Sequence, residues 1–139
     1  MELTELRATV TRLQEQIGER VIGQEGAVDL LVIALLARGH ALIEGMPGTA
    51  KTMLAQCFAT SLALDFKRVQ FTPDLMPADI LGSEVLDTAP DGTRAFRFVQ
   101  GPIFCQLLMA DEINRASPRT QSALLQAMQE KTVTVAGAD

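Results

Sequence analysis

The sequence predicts an α/β fold built on a parallel sheet, and three observations carry that expectation. Ala41-Leu42-Ile43 is a short apolar run that breaks at Glu44-Gly45 into a loop rich in glycine, then reopens as a helical run at Lys51-Thr52. Ile103 to Ala110 is a second apolar run, and it ends in two acids, Asp111-Glu112. Around both runs, helical spacings of three and four alternate with short strand-like segments, the pattern of strands joined by helical crossovers.

At 139 residues the chain is one domain or part of one, long enough to bury roughly 68% of its unfolded surface. Apolar residues make up 47% and charged residues 21%, an ordinary globular balance. The net charge of −5 and the lack of any Lys/Arg-rich run argue against nucleic acid as a partner, because phosphate-backbone binding needs a basic footprint. The longest apolar run, Leu30 to Ala37, is too short to span a bilayer, and the N-terminus lacks a basic-then-apolar signal pattern. The expectation is a soluble, cytoplasmic protein with no membrane partner. Cys57 and Cys105 stand far apart in apolar surroundings and read as two buried, reduced thiols.

In chain order, Leu3, Leu6, Val10, Leu13 and Ile17 mark an amphipathic helix that Gly18 stops. A turn through Val21-Ile22-Gly23 precedes a second helix, about Gln24 to Arg38, with Gly39 in the C′ position. His40, the only histidine, has no neighbouring ligand and reads as structural or solvent-facing.

The stretch Gly45 to Thr52 carries the first chemistry. Strand, glycine loop, Lys-Thr and helix in that order form a phosphate-binding loop, the Walker A motif. Gly45 and Gly48 let backbone N–H groups approach phosphate oxygens without a Cβ in the way. The helix that follows directs its positive end at the same anion. Lys51 supplies a mobile cation for the β- and γ-phosphates, and the Thr52 hydroxyl is placed to bind Mg²⁺. Ala50 departs from the general pattern, which has glycine there.

Beyond a helix from Lys51 to about Leu64, Lys67 to Phe71 reads as a strand, and Thr72 to Gly82 as a loop and short helix. Glu84 to Thr88 and Arg94 to Val99 read as a hairpin closed by Ala89-Pro90-Asp91-Gly92, with Phe96 and Phe98 on one face and Arg97 on the other. The buried strand ending at Asp111-Glu112 is the Walker B pattern. At the carboxyl end of a parallel strand Asp111 can hold Mg²⁺, and Glu112 can act as the base that polarises water. Ser117-Pro118 opens a helix to about Lys131, and Thr132 to Val135 alternates as a strand. Arg115 and Arg119 flank that helix start. Either the nearby acids neutralise them, or one of them reaches a neighbouring subunit.

These blocks together resemble the N-terminal part of the AAA+ ATPase core in MoxR-type proteins, in the group with a β-hairpin inserted in helix 2. The resemblance runs from Val21-Ile22-Gly23-Gln24 to Val133-Thr134-Val135. It includes Gly45-Met46-Pro47-Gly48-Thr49-Ala50-Lys51-Thr52, which looks like the family's own Walker A variant with alanine tolerated. Phe71-Thr72-Pro73-Asp74-Leu75, Gly101-Pro102-Ile103-Phe104, Asp111-Glu112-Ile113-Asn114-Arg115-Ala116 and Thr120 to Glu130 carry it further. What the resemblance implies is a P-loop NTPase with a three-layer core, a parallel sheet and the hairpin insert at about 84–99. It implies an N-terminal helix at 1–20 ahead of a nucleotide-binding core at 21–139. It also implies ATP and Mg²⁺ as cofactors, with Val21, Ile22 and Gly23 near adenine and nucleotide contacts running through Met53. Homo-oligomers, commonly hexameric rings, a client protein to remodel and a partner with a von Willebrand factor A domain follow from the same likeness. By that comparison the chain is expected to stop before the sensor-1 strand and the helical lid. It would then be marginally stable, prone to association and weak as an ATPase. A nucleotide-binding fragment without turnover, and a magnesium-chelatase-like or Rubisco-activating ATPase, are the competing readings of the same residues.

Overall fold

Apolar spacing decides where the first helices form and which of their faces turn inward. The computed structural model describes residues 2–45 and 50–133, and the chain divides into two compact units, Met1–Phe66 and Lys67–Asp139. The first unit holds α1 (Leu3–Gly18), α2 (Glu25–Leu36) and α3 (Lys51–Ser61), with α1 packed on both of the others. Only the C-terminal end of the α1 stripe is buried, at Leu13 and Ile17, whereas Leu3 is 80% exposed. Val21, Val28, Val32, Leu54, Cys57, Phe58 and Ala59 are buried with them.

Helix α2 is apolar on every face, yet only Val28 and Val32 are buried, while Leu30, Ile33 and Leu36 remain exposed. Its C-terminus differs from expectation. The helix ends at Leu36, so the left-handed position falls on Arg38 (φ 52°) and Gly39 lies one residue beyond. Arg38 N–H donates to the Leu35 carbonyl at 3.0 Å and Gly39 N–H to the Ala34 carbonyl at 2.8 Å. That pair of bonds is a Schellman closure, and it satisfies carbonyls the helix leaves open. Helix α3 closes the same way, with Ala63 at φ 52° and Leu64 N–H on the Ala59 carbonyl at 2.9 Å.

The strand expected at Ala41–Glu44 does not form, and Leu42 is 77% exposed. A strand persists through ladder bonds to a neighbour, and the sheets among the described residues are built from other segments.

The second unit carries β1 (Phe66–Gln70, entered from the end of the first unit), α4 (Pro77–Leu81), β2 (Gly82–Thr88), β3 (Arg94–Gln100), β4 (Leu107–Asp111) and α5 (Pro118–Glu130). β1 and β4 form a two-stranded parallel sheet, so the fold is α/β as expected. The run Ile103 to Gln106 is a turn rather than the first half of β4: Ile103 N–H donates to the Ile80 carbonyl at 3.1 Å, Phe104 N–H to that of Gly101 at 3.2 Å and Cys105 N–H to that of Ile103 at 2.9 Å. Phe71, Ile80, Ala116 and Leu124 form the core, with Val69, Leu75, Leu108, Ala110 and Met128 packed around them. Cys57 is buried but Cys105 only half-buried, and neither is in a disulfide. Thr132 and Val133 carry no strand, and residues 134 and 135 lie outside the described residues.

The hairpin forms where expected and extends one or two residues further at its base, pairing Gly82 with Gln100 through Thr88 with Arg94. Gly92 N–H donates to the Ala89 carbonyl at 2.9 Å and closes the turn. Arg97 bridges to Asp87 at 2.7 Å on one face. On the other, Phe98 meets Phe104 edge-on at 5.9 Å. At the base, Gly82 takes φ +100°, and a Cβ there would meet the Val99 carbonyl oxygen at 2.3 Å. Across from it, a Cβ on Gly101 would meet the Ile80 carbonyl oxygen at 2.2 Å. Only glycine fits at either place.

Thr120 is fully buried, and its hydroxyl donates to the Leu75 carbonyl at 2.8 Å, tying α5 to the loop after β1. Thr120→Val keeps the shape and leaves that carbonyl unpaired, so a urea titration should read a loss of about 1–3 kcal/mol. In the hairpin turn, the Thr93 hydroxyl and then the Thr93 N–H donate to the Asp91 carboxylate and hold its pKa below the ordinary value. A depressed folded pKa contributes stability above the unfolded pKa, and that contribution disappears as pH falls through the folded value. Carboxyl carbon shifts followed through an acid titration should place the Asp91 midpoint low, and Thr93→Val should return it toward the ordinary carboxylate value.

Candidate functional site

The two expected motifs lie on different units. On the first, the chain enters α3 through Ala50, which adopts the left-handed conformation (φ 56°, ψ 20°) as the residue before the helix. That conformation explains why the general motif has glycine here: with a Cβ it costs roughly 1–2 kcal/mol. It lets the Ala50 carbonyl accept the first helical bond, from Leu54 N–H at 2.9 Å. Lys51 and Thr52 follow at once, half-buried in the first turn of α3. The first-turn N–H groups have no helical acceptor, so the end is electropositive and suited to an anion.

The Lys51 ammonium donates to the Gly45 carbonyl at 2.9 Å. Met46, Pro47, Gly48 and Thr49, expected to form the cradle itself, lie outside the described residues.

Of the residues expected near adenine, Val21 is buried with its N–H on the Ile17 carbonyl at 2.8 Å, Ile22 is 87% exposed, and Gly23 takes φ 79°. Arg20, Met53, Gln56, Cys57 and Thr60 line an open cleft of about 470 Å³ on the same unit. Among the described residues, Met53 is the expected contact that faces this cleft; Val21, Ile22 and Gly23 do not line it.

On the second unit, Asp111 is the last residue of β4, at the carboxyl end of the parallel pair. Phe71 N–H donates to the Asp111 carbonyl at 2.8 Å, which holds the strand tip in register. Glu112 then turns the chain in the left-handed conformation (φ 55°, ψ 40°) and starts a 3-10 turn, Ile113–Arg115. Positive φ at a glutamate is uncommon and costs of order 1–3 kcal/mol, a price sites accept when the surroundings fix the residue. Here the surroundings do: the Gln121 amide donates to the carbonyls of Ile113 at 3.3 Å and Ala116 at 3.1 Å. Ser117 caps α5, accepting from Thr120 N–H at 3.3 Å. Glu112 is left exposed at the tip, with its carboxylate free to meet solvent.

Sequence reading missed Arg68. Its guanidinium lies 2.5 Å from the Asp111 carboxylate, so Arg68 is the ion partner of Asp111, whereas Arg115 and Arg119 are exposed. Asp111 is paired with Arg68 and makes no ion pair with either of them. The only signal in the sequence was a cation on an expected strand, Lys67 to Phe71.

Mg²⁺ takes hard oxygen donors, typically one or two carboxylates completed by substrate phosphates and water. Asp111 offers one carboxylate at 19% exposure, and no cluster of three or more acidic, His or Cys ligands exists among the described residues. A single recessed carboxylate is the donor set of a metal shared with a phosphate, so Asp111 fits such a site.

Residues 40–139 match the family described as ATPases associated with various cellular activities, AAA. An uncharacterized protein of Bacillus subtilis is 44% identical over 133 residues, covering 96% of this chain and 41% of that protein. Chaperone MoxR1 of Mycobacterium tuberculosis is 41% identical, covering 93% of this chain and 33% of that protein. A solved chain from Cytophaga hutchinsonii, named as a candidate ATPase, superposes with a TM-score of 0.72 at 38% identity, covering 96% of this chain and 42% of that one. The family match and these likenesses define the class, AAA-type P-loop ATPases. Protein MoxR of Methylorubrum extorquens, 36% identical over 136 residues, agrees with the Mycobacterium match. The chain belongs to the MoxR family of AAA+ ATPases, and it spans less than half the length of the relatives it matches.

Replacing Ala50 by glycine removes the left-handed strain and returns part of the gain as unfolded-state entropy. Ala50→Gly should raise the urea midpoint at unchanged slope, a net stabilisation of about 0.5–1 kcal/mol.

Proposed function

We propose that this chain binds Mg-ATP and that the protein to which it belongs hydrolyses ATP in a homo-oligomeric, commonly hexameric ring that remodels a client protein. The observation that carries the reading is the tip of β4, where Asp111 is recessed and Glu112 is locked, exposed, one residue beyond. Two adjacent carboxylates in different environments suit different tasks.

In this reading the N–H groups of the Gly45–Ala50 loop and the α3 terminus bind the phosphates, and Lys51 leaves the Gly45 carbonyl to contact the β- and γ-oxygens. Val21, Ile22, Gly23 and Met53 border the base. Thr52 and Asp111 hold the metal, which when bound neutralises charge developing between the β- and γ-phosphates. Glu112 accepts the proton from the attacking water, and its fixed backbone keeps the carboxylate aimed at one place. Arg115 and Arg119, exposed beside the α5 terminus, are available to a phosphate or carboxylate of a neighbouring subunit. A client and a partner with a von Willebrand factor A domain belong to the same reading, as does a cytoplasmic location. Among the described residues no helix is long and apolar enough to cross a membrane.

One pair of variants tests it. Mg-ATP at 100 times its Kd should stabilise the parent by about 2.7 kcal/mol, and Lys51→Ala should lose most of that shift. In the assembled ring, Glu112→Gln should keep ATP binding and lose about 10²–10⁴-fold in turnover, since an amide cannot take the proton. Equal thermal shifts for the parent and Lys51→Ala, or full turnover with Glu112→Gln, would overturn the assignment.

A further inference from the structure

We infer that Arg68 is a positioning residue that engages the Asp111 carboxylate and competes with Mg²⁺ for it. The inference rests on the reading of Asp111 as a metal ligand and adds a residue that reading did not contain.

Alternation on the two strands sets the arrangement. Val69 of β1 and Leu108 and Ala110 of β4 pack into the core, so Arg68 and Asp111 project from the opposite face of the sheet. The neighbouring cation, Lys67, is already committed, its ammonium donating to the Phe104 carbonyl at 2.9 Å. Arg68 alone is left to answer the acid, across 43 residues of sequence, with its Nη2 at 2.5 Å from Oδ2.

Burial explains why the acid needs a counter-charge. The Asp111 side chain is 19% exposed, and a carboxylate taken that far from water is stabilised by a partner that restores the lost hydration. The guanidinium is 43% exposed, so its path back to solvent is open. A divalent cation draws on the same carboxylate that Arg68 engages through Oδ2, and two cations a few ångströms apart on one carboxylate repel each other. Arg68 and the metal therefore alternate on Asp111. The consequence is functional: the arginine weakens capture of the bare metal and favours its arrival with phosphate oxygens, whose added charge tips the exchange.

The quantity to measure is the ratio of Kd for a fluorescent ATP analogue in EDTA to its Kd in excess Mg²⁺, on the purified chain. That ratio is the coupling between metal and nucleotide, and a merely structural residue does not change it selectively. Arg68→Gln removes the competitor and should raise the ratio about fivefold, with the EDTA value within about twofold of the parent; a partly exposed ion pair has that magnitude. Arg68→Lys keeps a cation in place and should stay close to the parent ratio. Asp111→Asn should bring the ratio close to one. If Asp111→Asn leaves the ratio at its parental value, the reading of Asp111 as ligand fails, and the inference with it. If Asp111→Asn collapses the ratio but Arg68→Gln does not raise it, or weakens binding in EDTA, the ligand reading stands and the role given to Arg68 is wrong.

Discussion

One backbone hydrogen bond sets the geometry of the second unit: Phe71 N–H to the Asp111 carbonyl, the last bond joining β1 to β4. It fixes the length of the paired strands, and from that length everything at the tip follows. Phe71, which donates the bond, is fully buried in the core. Asp111, which accepts it, is held where its side chain must leave on the other face. Leu75, four residues past Phe71, turns its carbonyl to Thr120 and so couples the strand ends to α5. The carboxylates are thus presented by a braced edge rather than by a loop, the rigidity that positioned chemistry requires.

Left-handed residues without glycine's freedom recur at the joints of this chain: Arg38, Ala50, Ala63, Glu112 and Lys131. Three of them close helices, where the strained residue is offset by carbonyls it helps to satisfy. The remaining two, Ala50 and Glu112, begin elements instead, one on each motif. In both places the helical turn starts with the next residue, Lys51 after Ala50 and Ile113 after Glu112. Compactness at that corner brings backbone N–H groups or a carboxylate to the surface at a defined point, and strain is the cost of it.

Much of this was legible in the sequence. The start of α3 at Lys51, the cap and proline that open α5, and the hairpin with its turn all rest on local chemistry, and the structure has them within one or two residues. What failed shares a physical cause. Ala41–Glu44 has strand-like composition, but strand formation is decided by a neighbour and not by the segment itself. Ile103–Gln106 was apolar enough to extend β4, yet the Phe104 and Cys105 N–H groups bond within the local turn and that of Ile103 goes to the Ile80 carbonyl. Gly39 gave way to Arg38 because the helix stopped earlier than its composition implied, and composition fixes helix ends poorly. At the candidate site, Asp111 ends β4 and Lys51-Thr52 open α3, the positions that residue type and spacing predict. Arg68 was not legible, since its meaning comes from a register across two strands that no local pattern encodes.

The two glycines at the hairpin base have a consequence for how this chain can vary. Gly82 and Gly101 approach opposing backbone so closely that neither tolerates a side chain, whereas beyond them nearly every hairpin residue is exposed. Constraint is concentrated in a narrow neck, and the arm it carries is released from it. Such an arm can lengthen, shorten or change its surface chemistry while the core sees only the same two backbones passing through the same gap. Its tip, at Pro90-Asp91-Gly92, is accordingly the natural address in this unit for an inserted sequence, a fluorophore or an affinity handle.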